Sequence, residues 1–311
     1  MNKTALLFAG QGAQVVGMGQ DLAASFSSAR AWFDRANAAL GYDLAAVCFN
    51  GPEAKLTRTE NAQPGIFLVS WVAFQLLKER APALEFEATA GLSLGEFTAL
   101  TAAGAMSFED GLRVVRQRGR FMQEACEATR GGMAAIIGLD EAPTREVCAE
   151  AGVELANLNC PGQIVISGEL EKIAKAVELA KVKGAKRAIP LPVAGAYHSP
   201  LMASAQPKLK AELEKVPLLP PNVTVISNVT ARPYDRGEIS SRLEMSNLVQ
   251  QVTSSVRWEE SMRYLVAQGF TRFIELGPGT ALSGFMKRID KNARMFNVAD
   301  VTSLDAAVKE L

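Results

Sequence analysis

The pentapeptide GLSLG at positions 91–95 matches G-x-S-x-G, a pattern in which a serine on a sharp strand-to-helix turn acts as a nucleophile. The small and apolar residues 86–90 predict a strand before the turn, and the helix formers 96–103 predict a helix after it. Glycine flanks permit the strained backbone that such a serine adopts. The pattern therefore predicts acyl-enzyme chemistry on Ser93. The alternative is a serine that caps an ordinary helix.

A serine nucleophile needs a base, and His198 is the one histidine among the 311 residues. It follows the apolar stretch 188–191, which predicts a loop after a strand, where catalytic groups concentrate. A lysine or carboxylate base is the alternative, as is a histidine without chemistry. Because the chain also contains the strand-to-helix turn of a serine nucleophile, called a nucleophile elbow, we interpret His198 as the general base for Ser93.

Backbone amides can stabilise the negative charge that develops on an acyl group attached to Ser93. The Leu94 amide, at the predicted helix N-terminus, faces that group. The glycine-rich stretch 10–19 allows a second amide to approach. This stretch does not match a nucleotide-binding loop, because Val15 replaces the third glycine of G-x-G-x-x-G and Met18 replaces the lysine of a phosphate-binding loop.

Composition is typical of a globular enzyme, with 48% hydrophobic and 21% charged residues. Lys+Arg and Asp+Glu each total 33, so no global basic field favours nucleic acid. The stretch 3–9 is too short for a signal peptide and no apolar run reaches membrane-spanning length, so we expect no membrane partner. The four cysteines form no CxxC pair, which favours a reducing, cytoplasmic setting, and a single histidine argues against a metal site.

The order of the predicted elements indicates an α/β fold in which a small domain, residues 129–197, is inserted into a large one, residues 1–128 and 198–311. Within the insertion the order is strand, helix, strand, strand, helix, strand, which is that of a ferredoxin-like α+β unit. Its predicted strands are 133–137, 153–158, 163–167 and 187–191, and its predicted helices are 142–151 and 170–183. Serine and histidine would meet at the junction of the two domains, where clefts are common.

The large domain alternates predicted strands and helices. Besides the strand before Ser93, it contains predicted strands at 4–8, 223–227 and 271–275. Such alternation favours a mainly parallel sheet covered by helices on both faces, as in an α/β-hydrolase-like fold.

Arg118 lies on a predicted helix that begins after the N-cap Ser107, with Asp110 three residues on. The helix has an apolar stripe at helical spacing, and Arg118 lies at one edge of it. A planar guanidinium there can bind a carboxylate with two hydrogen bonds. The alternative is a structural ion pair with an acidic residue. Three further arginines lie together on the other side of the stripe and predict a solvated face: Arg113, Arg116 and Arg120.

Six segments, in order along nearly the whole chain, resemble the malonyl-CoA:acyl carrier protein transacylases of type II fatty acid synthesis. They are FAGQGAQ (8–14), GLSLGEF (91–97), RQRGRFMQ (116–123), NLNCPGQ (157–163), AYHSPLM (196–202) and ELGPG (275–279). The resemblance implies transfer of a malonyl group from malonyl-CoA to the pantetheine thiol of acyl carrier protein through a malonyl-serine. It implies no cofactor beyond these thioester substrates.

The resemblance also implies roles for single residues. Ser93 would be the nucleophile and His198 the base, while the amides of Gln11 and Leu94 would form the oxyanion hole. Arg118 would pair with the free carboxylate of the malonyl group.

Three further positions follow from the same resemblance. A backbone carbonyl, that of Gln251, would orient the histidine, although the neighbouring Gln250 offers a one-residue slip. Asn159 would line the approach of the thioester. Tyr197 resembles the aromatic residue that malonyl-specific relatives carry before the histidine. Leu92 departs from the family, because many relatives have histidine there.

Other functions remain open from the sequence. A serine thioesterase or esterase would use Ser93 and His198 but would not need Arg118, and a non-catalytic docking module would need none of the three. A discrete polyketide malonyltransferase is a close variant. The carrier protein of the family is acidic, which favours docking on a basic patch. Two clusters are candidates: Lys183, Lys186 and Arg187, or Lys287, Arg288, Lys291 and Arg294.

Overall fold

The structure, a computed structural model, describes residues 3–234 and 242–311. Its strands are β1 Lys3–Phe8, β2 Ala88–Gly91, β3 Gly131–Ile137, β4 Glu154–Cys160, β5 Gln163–Glu169, β6 Arg187–Pro190, β7 Thr224–Val225, β8 Phe270–Leu276 and β9 Arg294–Val298.

The α-helices of the described residues are α1 Gln20–Ser25, α2 Ser27–Leu40, α3 Leu44–Asn50, α4 Glu53–Thr57, α5 Thr59–Arg80, α6 Leu94–Ala102, α7 Phe108–Ala128, α8 Glu141–Ala151, α9 Leu170–Val182, α10 Ala205–Leu213, α11 Arg242–Gln250, α12 Trp258–Ala267, α13 Ala281–Ile289 and α14 Val301–Glu310. A 3-10 helix, Pro200–Met202, follows His198.

The large sheet is parallel throughout, with the strand order β7-β2-β1-β8-β9. Its central strand β1 reads as a nearly continuous apolar run because both of its faces are covered. The carboxyl ends of three strands lie in register, since Phe8 pairs with both Gly91 and Leu276. The sequence after each strand therefore emerges at one edge, where open α/β sheets bind their ligands. The predicted parallel sheet is confirmed.

The small sheet is antiparallel, with the strand order β4-β5-β3-β6. Together with α8 and α9 this is the predicted ferredoxin-like arrangement. Its strands and helices enclose a hydrophobic core of their own, built around residues such as Ile136, Val147 and Ile166. The bounds 129–197 of the inserted domain stay a prediction.

Several predicted boundaries differ from the structure. The strand predicted at 86–90 is β2, Ala88–Gly91, and the strand predicted at 223–227 contains only the two paired residues of β7. No strand was expected at β9, because its sequence RMFNV lacks a clear alternation and its edge position leaves most of it half-buried. Ser107 caps α7 as predicted, since its side chain accepts a hydrogen bond from the Asp110 amide.

The two domains touch near the elbow. Strand β4 of the small domain forms backbone hydrogen bonds with Val256 of the large domain, on either side of Asn157. Arg288 on α13 donates to the Pro161 carbonyl at 2.5 Å and to the Gln163 side chain at 3.0 Å. These contacts fix the small domain against the segment that follows α11.

Within the described ranges, no helix combines the length and apolar character needed to cross a membrane. The longest helix, α5, is buried over most of its length inside the large domain and packs against α7 and α6. Gly119 on α7 permits this packing, because a Cβ added there would lie 2.6 Å from the Thr59 carbonyl oxygen. The close crossing holds α7, and with it Arg118, against the elbow.

We expect Gly119→Ala to lower the free energy of unfolding by about 1–3 kcal/mol, because the added methyl group overlaps the backbone of α5. Gly284→Ala is the matched control, since a Cβ on this exposed glycine of α13 meets nothing within 4 Å. The control should leave stability unchanged or raise it by about 0.5–1 kcal/mol, the difference in helix propensity. Denaturant unfolding measures both, and equal effects would contradict the close crossing of α5 and α7.

Candidate active site

Ser93 lies on the turn between β2 and α6, with φ 54° and ψ −108°. The turn brings backbone segments together so closely that only glycine fits on either side. A Cβ at Gly91 would lie 1.9 Å from the Gly95 carbonyl oxygen, and one at Gly95 would lie 2.4 Å from the Phe8 carbonyl oxygen. The strained serine conformation of a nucleophile elbow is therefore present, and the alternative of an ordinary helix cap is not supported.

Asn228, in the loop after β7, clamps this turn. Its side-chain oxygen accepts a hydrogen bond from the Ser93 amide at 2.6 Å, and its side-chain nitrogen donates to the Gly91 carbonyl at 2.8 Å. The two bonds hold the strained backbone from outside the motif. Sequence reasoning missed this residue, because nothing in the pattern around position 228 points to position 93.

His198 is buried beside Ser93, and its Nε2 lies 2.9 Å from the serine Oγ. Its other ring nitrogen, Nδ1, lies 2.8 Å from the Gln251 carbonyl oxygen. Because a carbonyl can only accept, Nδ1 carries the hydrogen, which leaves the Nε2 lone pair free to accept the serine proton. The carbonyl contact belongs to Gln251, whereas the Gln250 side chain is exposed and donates to Ser246. The geometry thus supports the predicted pairing of nucleophile and base.

Arg118 is fully buried on α7 and points its guanidinium at the nucleophile. Nη2 donates to Ser93 Oγ at 3.0 Å and to Gln251 Oε1 at 2.9 Å, and Nη1 donates to Gln63 Oε1 at 2.7 Å. Nε has no hydrogen-bond partner among the described residues, and no described carboxylate lies within ion-pair distance. The alternative of a structural ion pair is therefore not supported by the described part of the chain.

The three other arginines of α7 behave as surface residues with one exception. Arg113 and Arg120 are exposed and pair with Asp110 and Glu124 of the same helix. Arg116 is only half-buried, because it lies over the Tyr42 ring and pairs with Glu60. The prediction of a solvated face is correct for the first two and incomplete for Arg116.

Gln11 and Tyr197 meet at the other side of the site. The side-chain nitrogen of Gln11, Nε2, donates to the Tyr197 hydroxyl at 3.2 Å, and that hydroxyl lies 2.5 Å from Thr59 Oγ1. The side chain of Gln63 links this group to Arg118, because its nitrogen donates to Gln11 Oε1 at 3.3 Å. These polar side chains therefore form a continuous hydrogen-bonded group that ends at Arg118.

The glycine-rich stretch lies directly against the elbow. A Cβ added at Gly10 would lie 2.6 Å from the Leu92 carbonyl oxygen and 3.0 Å from its side chain. Leu94 is buried as the first residue of α6, so its amide belongs to the helix N-terminus. The proximity is what an oxyanion hole formed by the Gln11 and Leu94 amides requires, and that role stays a prediction.

Asn159 lies on β4 and is buried. Its side-chain oxygen has no hydrogen-bond partner among the described residues. Strand β4 itself is hydrogen-bonded to Val256, five residues after Gln251, through Ala156 and Leu158. Its predicted contact with a thioester stays a prediction.

Glu96 lies in the first turn of α6 and is fully buried, yet sequence reasoning treated it only as a helix former. Its Oε2 accepts hydrogen bonds from Gln251 Nε2 at 2.5 Å and from the Asn228 amide at 3.2 Å, and its Oε1 accepts from the Tyr234 hydroxyl. The available signal was an acidic residue inside an otherwise apolar predicted helix, where burial requires partners.

Burial determines the protonation of the site. It lowers the pKa of His198 to about 4, with the nearby positive charge of Arg118 acting in the same direction. Burial also lowers the pKa of Arg118 to about 10, which leaves the guanidinium charged at neutral pH. It raises the pKa of Glu96 to about 7 against the hydrogen bonds that the carboxylate accepts. The site therefore holds a neutral base beside a fixed cation.

The residues that the structure describes contain no group of three histidine, cysteine or acidic side chains placed to hold an ion. The four cysteines are free and buried.

A strained serine next to a neutral histidine, with a buried arginine that forms no direct ion pair among the described residues, is the arrangement expected of an enzyme that carries acyl groups on serine. Comparison with known proteins agrees. The chain belongs to the acyl transferase domain family, whose model matches residues 5–304, and it is an acyltransferase.

Relatives with full-length similarity carry a common name. The malonyl CoA-acyl carrier protein transacylase of Bacillus subtilis is 44% identical over all of this chain and 98% of its own length. The solved structure of the Coxiella burnetii transacylase has a TM-score of 0.95 at 35% identity, covering 100% of this chain and 98% of that one. A type II polyketide synthase acyl carrier protein complex with its malonyl-transacylase contains a chain with a TM-score of 0.94 at 37% identity, covering 100% of both chains.

We expect acylation of Ser93 to keep its rate as the pH falls from 7 to 5. An ordinary histidine, with a pKa of about 6.5, would become protonated and lose its function as a base below that pH. His198 stays neutral until the pH approaches about 4. Rapid-quench measurement of kcat/KM for acyl-CoA loading across this range tests the expectation.

The control is thermal unfolding at each pH. Neutral His198 in the folded state lowers stability as the pH falls from about 6.5 toward 4, whereas Glu96, whose pKa burial raises to about 7, raises stability as the pH falls through that value, so the melting temperature should change little across this range. A half-loss of kcat/KM near pH 6.5 in protein that is still folded would contradict the low pKa of His198.

Proposed function

We propose that the chain transfers a malonyl group from malonyl-CoA to the pantetheine thiol of acyl carrier protein, through a malonyl ester on Ser93, and thereby supplies fatty acid synthesis. The observation that carries the proposal is Arg118. A fully buried guanidinium next to the nucleophile, with only neutral oxygen acceptors among the described residues, suits an acyl group that ends in a carboxylate.

The first half of the reaction loads the enzyme. His198 Nε2 accepts the proton of Ser93 as the hydroxyl attacks the thioester carbonyl. The tetrahedral oxyanion would be stabilised by the amides of Gln11 and Leu94. Collapse of the intermediate expels the coenzyme A thiolate, which takes the proton back from His198.

The second half reverses these steps with a different thiol. The pantetheine thiol gives its proton to His198 and attacks the ester, and Ser93 leaves with that proton. The carbonyl of Gln251 orients the imidazole but adds no negative charge. A carbonyl is sufficient because a thiolate leaves more readily than an amine and needs less help from the base.

A serine hydrolase is the rival reading of the same nucleophile and base. Such enzymes usually orient the histidine with an acid, whereas His198 here contacts a backbone carbonyl. A hydrolase also has no use for a buried cation at the acyl group. Incubation with malonyl-CoA separates the two, because a transferase accumulates a malonyl-protein and a hydrolase releases malonate.

A discrete polyketide malonyltransferase is a second candidate for the same chemistry. The complex between a polyketide carrier protein and its transacylase favours it, because that transacylase shares the whole fold. Loading rates with purified fatty acid and polyketide carrier proteins would distinguish the two pathways. We also propose a cytoplasmic location, which suits the four free cysteines.

Arg118→Ala should lower kcat/KM for malonyl-CoA by about 30-fold or more, the effect of leaving a desolvated carboxylate without its cation. Loading of acetyl-CoA should be retained or raised, since an acetyl group has no carboxylate. The mass of the intact protein after mixing with each thioester reports loading directly. Ser93→Ala should accept neither group.

Arg120→Ala is the matched control for Arg118→Ala. It removes an arginine two residues further along α7, where the side chain is exposed and pairs with Glu124. Its malonyl kinetics should match those of the wild type. Unchanged malonyl loading in folded Arg118→Ala would remove the proposed role of the guanidinium.

Transfer to carrier protein should weaken strongly with added salt while loading from malonyl-CoA changes less, because docking between a basic patch and an acidic partner is screened. Of the two candidate patches, Lys183 pairs with Glu146 and Arg288 is bonded to the small domain, so Lys186 and Lys287 are the informative sites. Lys186→Glu and Lys287→Glu, assayed by transfer to carrier protein, identify the patch. Transfer that is insensitive to salt would argue against electrostatic docking.

A further inference from the structure

Gln251 contacts all three groups of the proposed mechanism. Its backbone oxygen accepts from His198, its side-chain oxygen accepts from Arg118, and its side-chain nitrogen donates to the Ser93 carbonyl at 3.0 Å. The same nitrogen donates to Glu96 at 2.5 Å. Only one orientation of the amide fits, because the oxygen must face the guanidinium and the nitrogen must face two acceptors. A residue that holds the Gln251 side chain in place therefore also holds His198 and Arg118 in position relative to each other.

Glu96 is the acidic residue that holds this amide. Its Oε2 accepts the Gln251 bond and also a bond from the backbone amide of Asn228. Asn228 is the residue whose side chain clamps the strained turn at Ser93. A single carboxylate oxygen thus binds both the residue that orients the base and the residue that shapes the elbow.

Glu96 itself does not reach the reacting atoms. The Tyr234 hydroxyl occupies its Oε1, and no described cation lies within ion-pair distance of the carboxylate. Burial without a direct counterion is unfavourable for a carboxylate, so its presence below the nucleophile calls for an explanation. The three hydrogen bonds that the carboxylate accepts explain its burial. Each is donated by a residue from a different part of the site, so the carboxylate joins these parts.

We propose that Glu96 is a positioning residue for acyl transfer, which acts through Gln251 and Asn228 to hold His198, Arg118 and Ser93 in one arrangement. The inference rests on the proposed function. Loss of Glu96 frees the Gln251 side chain and disturbs both the base and the cation, so it should affect every acyl group. Loss of Arg118 should affect malonyl alone.

Glu96→Ala should lower kcat/KM by about 10- to 100-fold for both malonyl-CoA and acetyl-CoA, the effect of a small displacement of catalytic groups. Glu96→Gln should recover most of the activity. Its amide oxygen can replace Oε2 and accept from Gln251 and Asn228, while its amide nitrogen can donate to the Tyr234 hydroxyl. Rescue by glutamine would show that position matters, and equal loss in both variants would overturn the proposal.

A double-mutant cycle tests the route through Gln251. Gln251→Ala removes the amide but keeps the backbone carbonyl, so in that background Glu96→Ala should cause a smaller loss than in the wild type, leaving only the part that acts through Asn228. Additive losses would overturn the route through Gln251. If Glu96→Ala does not fold, Glu96→Asp makes the same comparison, because the shorter side chain withdraws the carboxylate by one methylene group.

Glu275→Ala and Glu275→Gln are the matched controls. Glu275 is also buried, and its carboxylate accepts hydrogen bonds from the Leu282 and Ser283 amides at the start of α13. These variants should lower the melting temperature while leaving kcat/KM within about twofold. A comparable loss of kcat/KM in them would make the Glu96 effect a matter of stability alone.

The wild-type protein, assayed beside the variants, keeps the two proposals apart. Wild-type protein that fails to load malonyl would refute the proposed function. Wild-type protein that loads malonyl, together with folded Glu96→Ala that loads it equally well, would refute the positioning role alone.

Discussion

The close approach of α6 to β2 and β1 is the constraint on which the rest of the site depends. Only glycine fits at positions 91 and 95, where these backbones approach each other. The turn between the two glycines holds Ser93 at a positive φ. A strained turn persists only when its surroundings hold it. The side chain of Asn228 does so by bonding to both ends of the turn, and the buried Glu96 bonds to the Asn228 backbone. Strain at the nucleophile therefore explains why polar groups are buried beneath it.

The sequence predicted those features that depend on rare residue types or on local periodicity. Ser93 lies between glycines at a recognisable spacing, and His198 has no competitor in the chain. The strands and helices of the elbow and of the inserted domain followed from apolar patterns, whereas the edge strand β9 did not. The residues Gln63 and Asn228 escaped notice for the opposite reason. Both are common polar residues whose importance arises only when the fold brings them to Arg118 and Ser93.

The electrostatics of the site favour thioester chemistry over harder acyl transfers. His198 is held by a carbonyl and faces the positive charge of Arg118, and both this charge and burial lower its pKa. An amine must be protonated as it leaves, whereas a thiolate leaves as an anion, so thioester chemistry depends less on a well-stabilised imidazolium. A base with a low pKa also stays free of protons at neutral pH. The missing acid is consistent with the substrate rather than a defect.

Arg118 shows how such a site can select a carboxylated acyl group without a preformed ion pair. Its guanidinium donates to three neutral oxygens, those of Ser93, Gln63 and Gln251. A carboxylate adds a charge–charge attraction and two parallel hydrogen bonds that these neutral oxygens cannot supply, so an incoming malonyl group offers the cation a better partner. The desolvation of the arginine has already occurred on folding, because the side chain is buried. Binding then adds the attraction without repeating that unfavourable step for the cation, whereas an uncharged acyl group gains nothing from it.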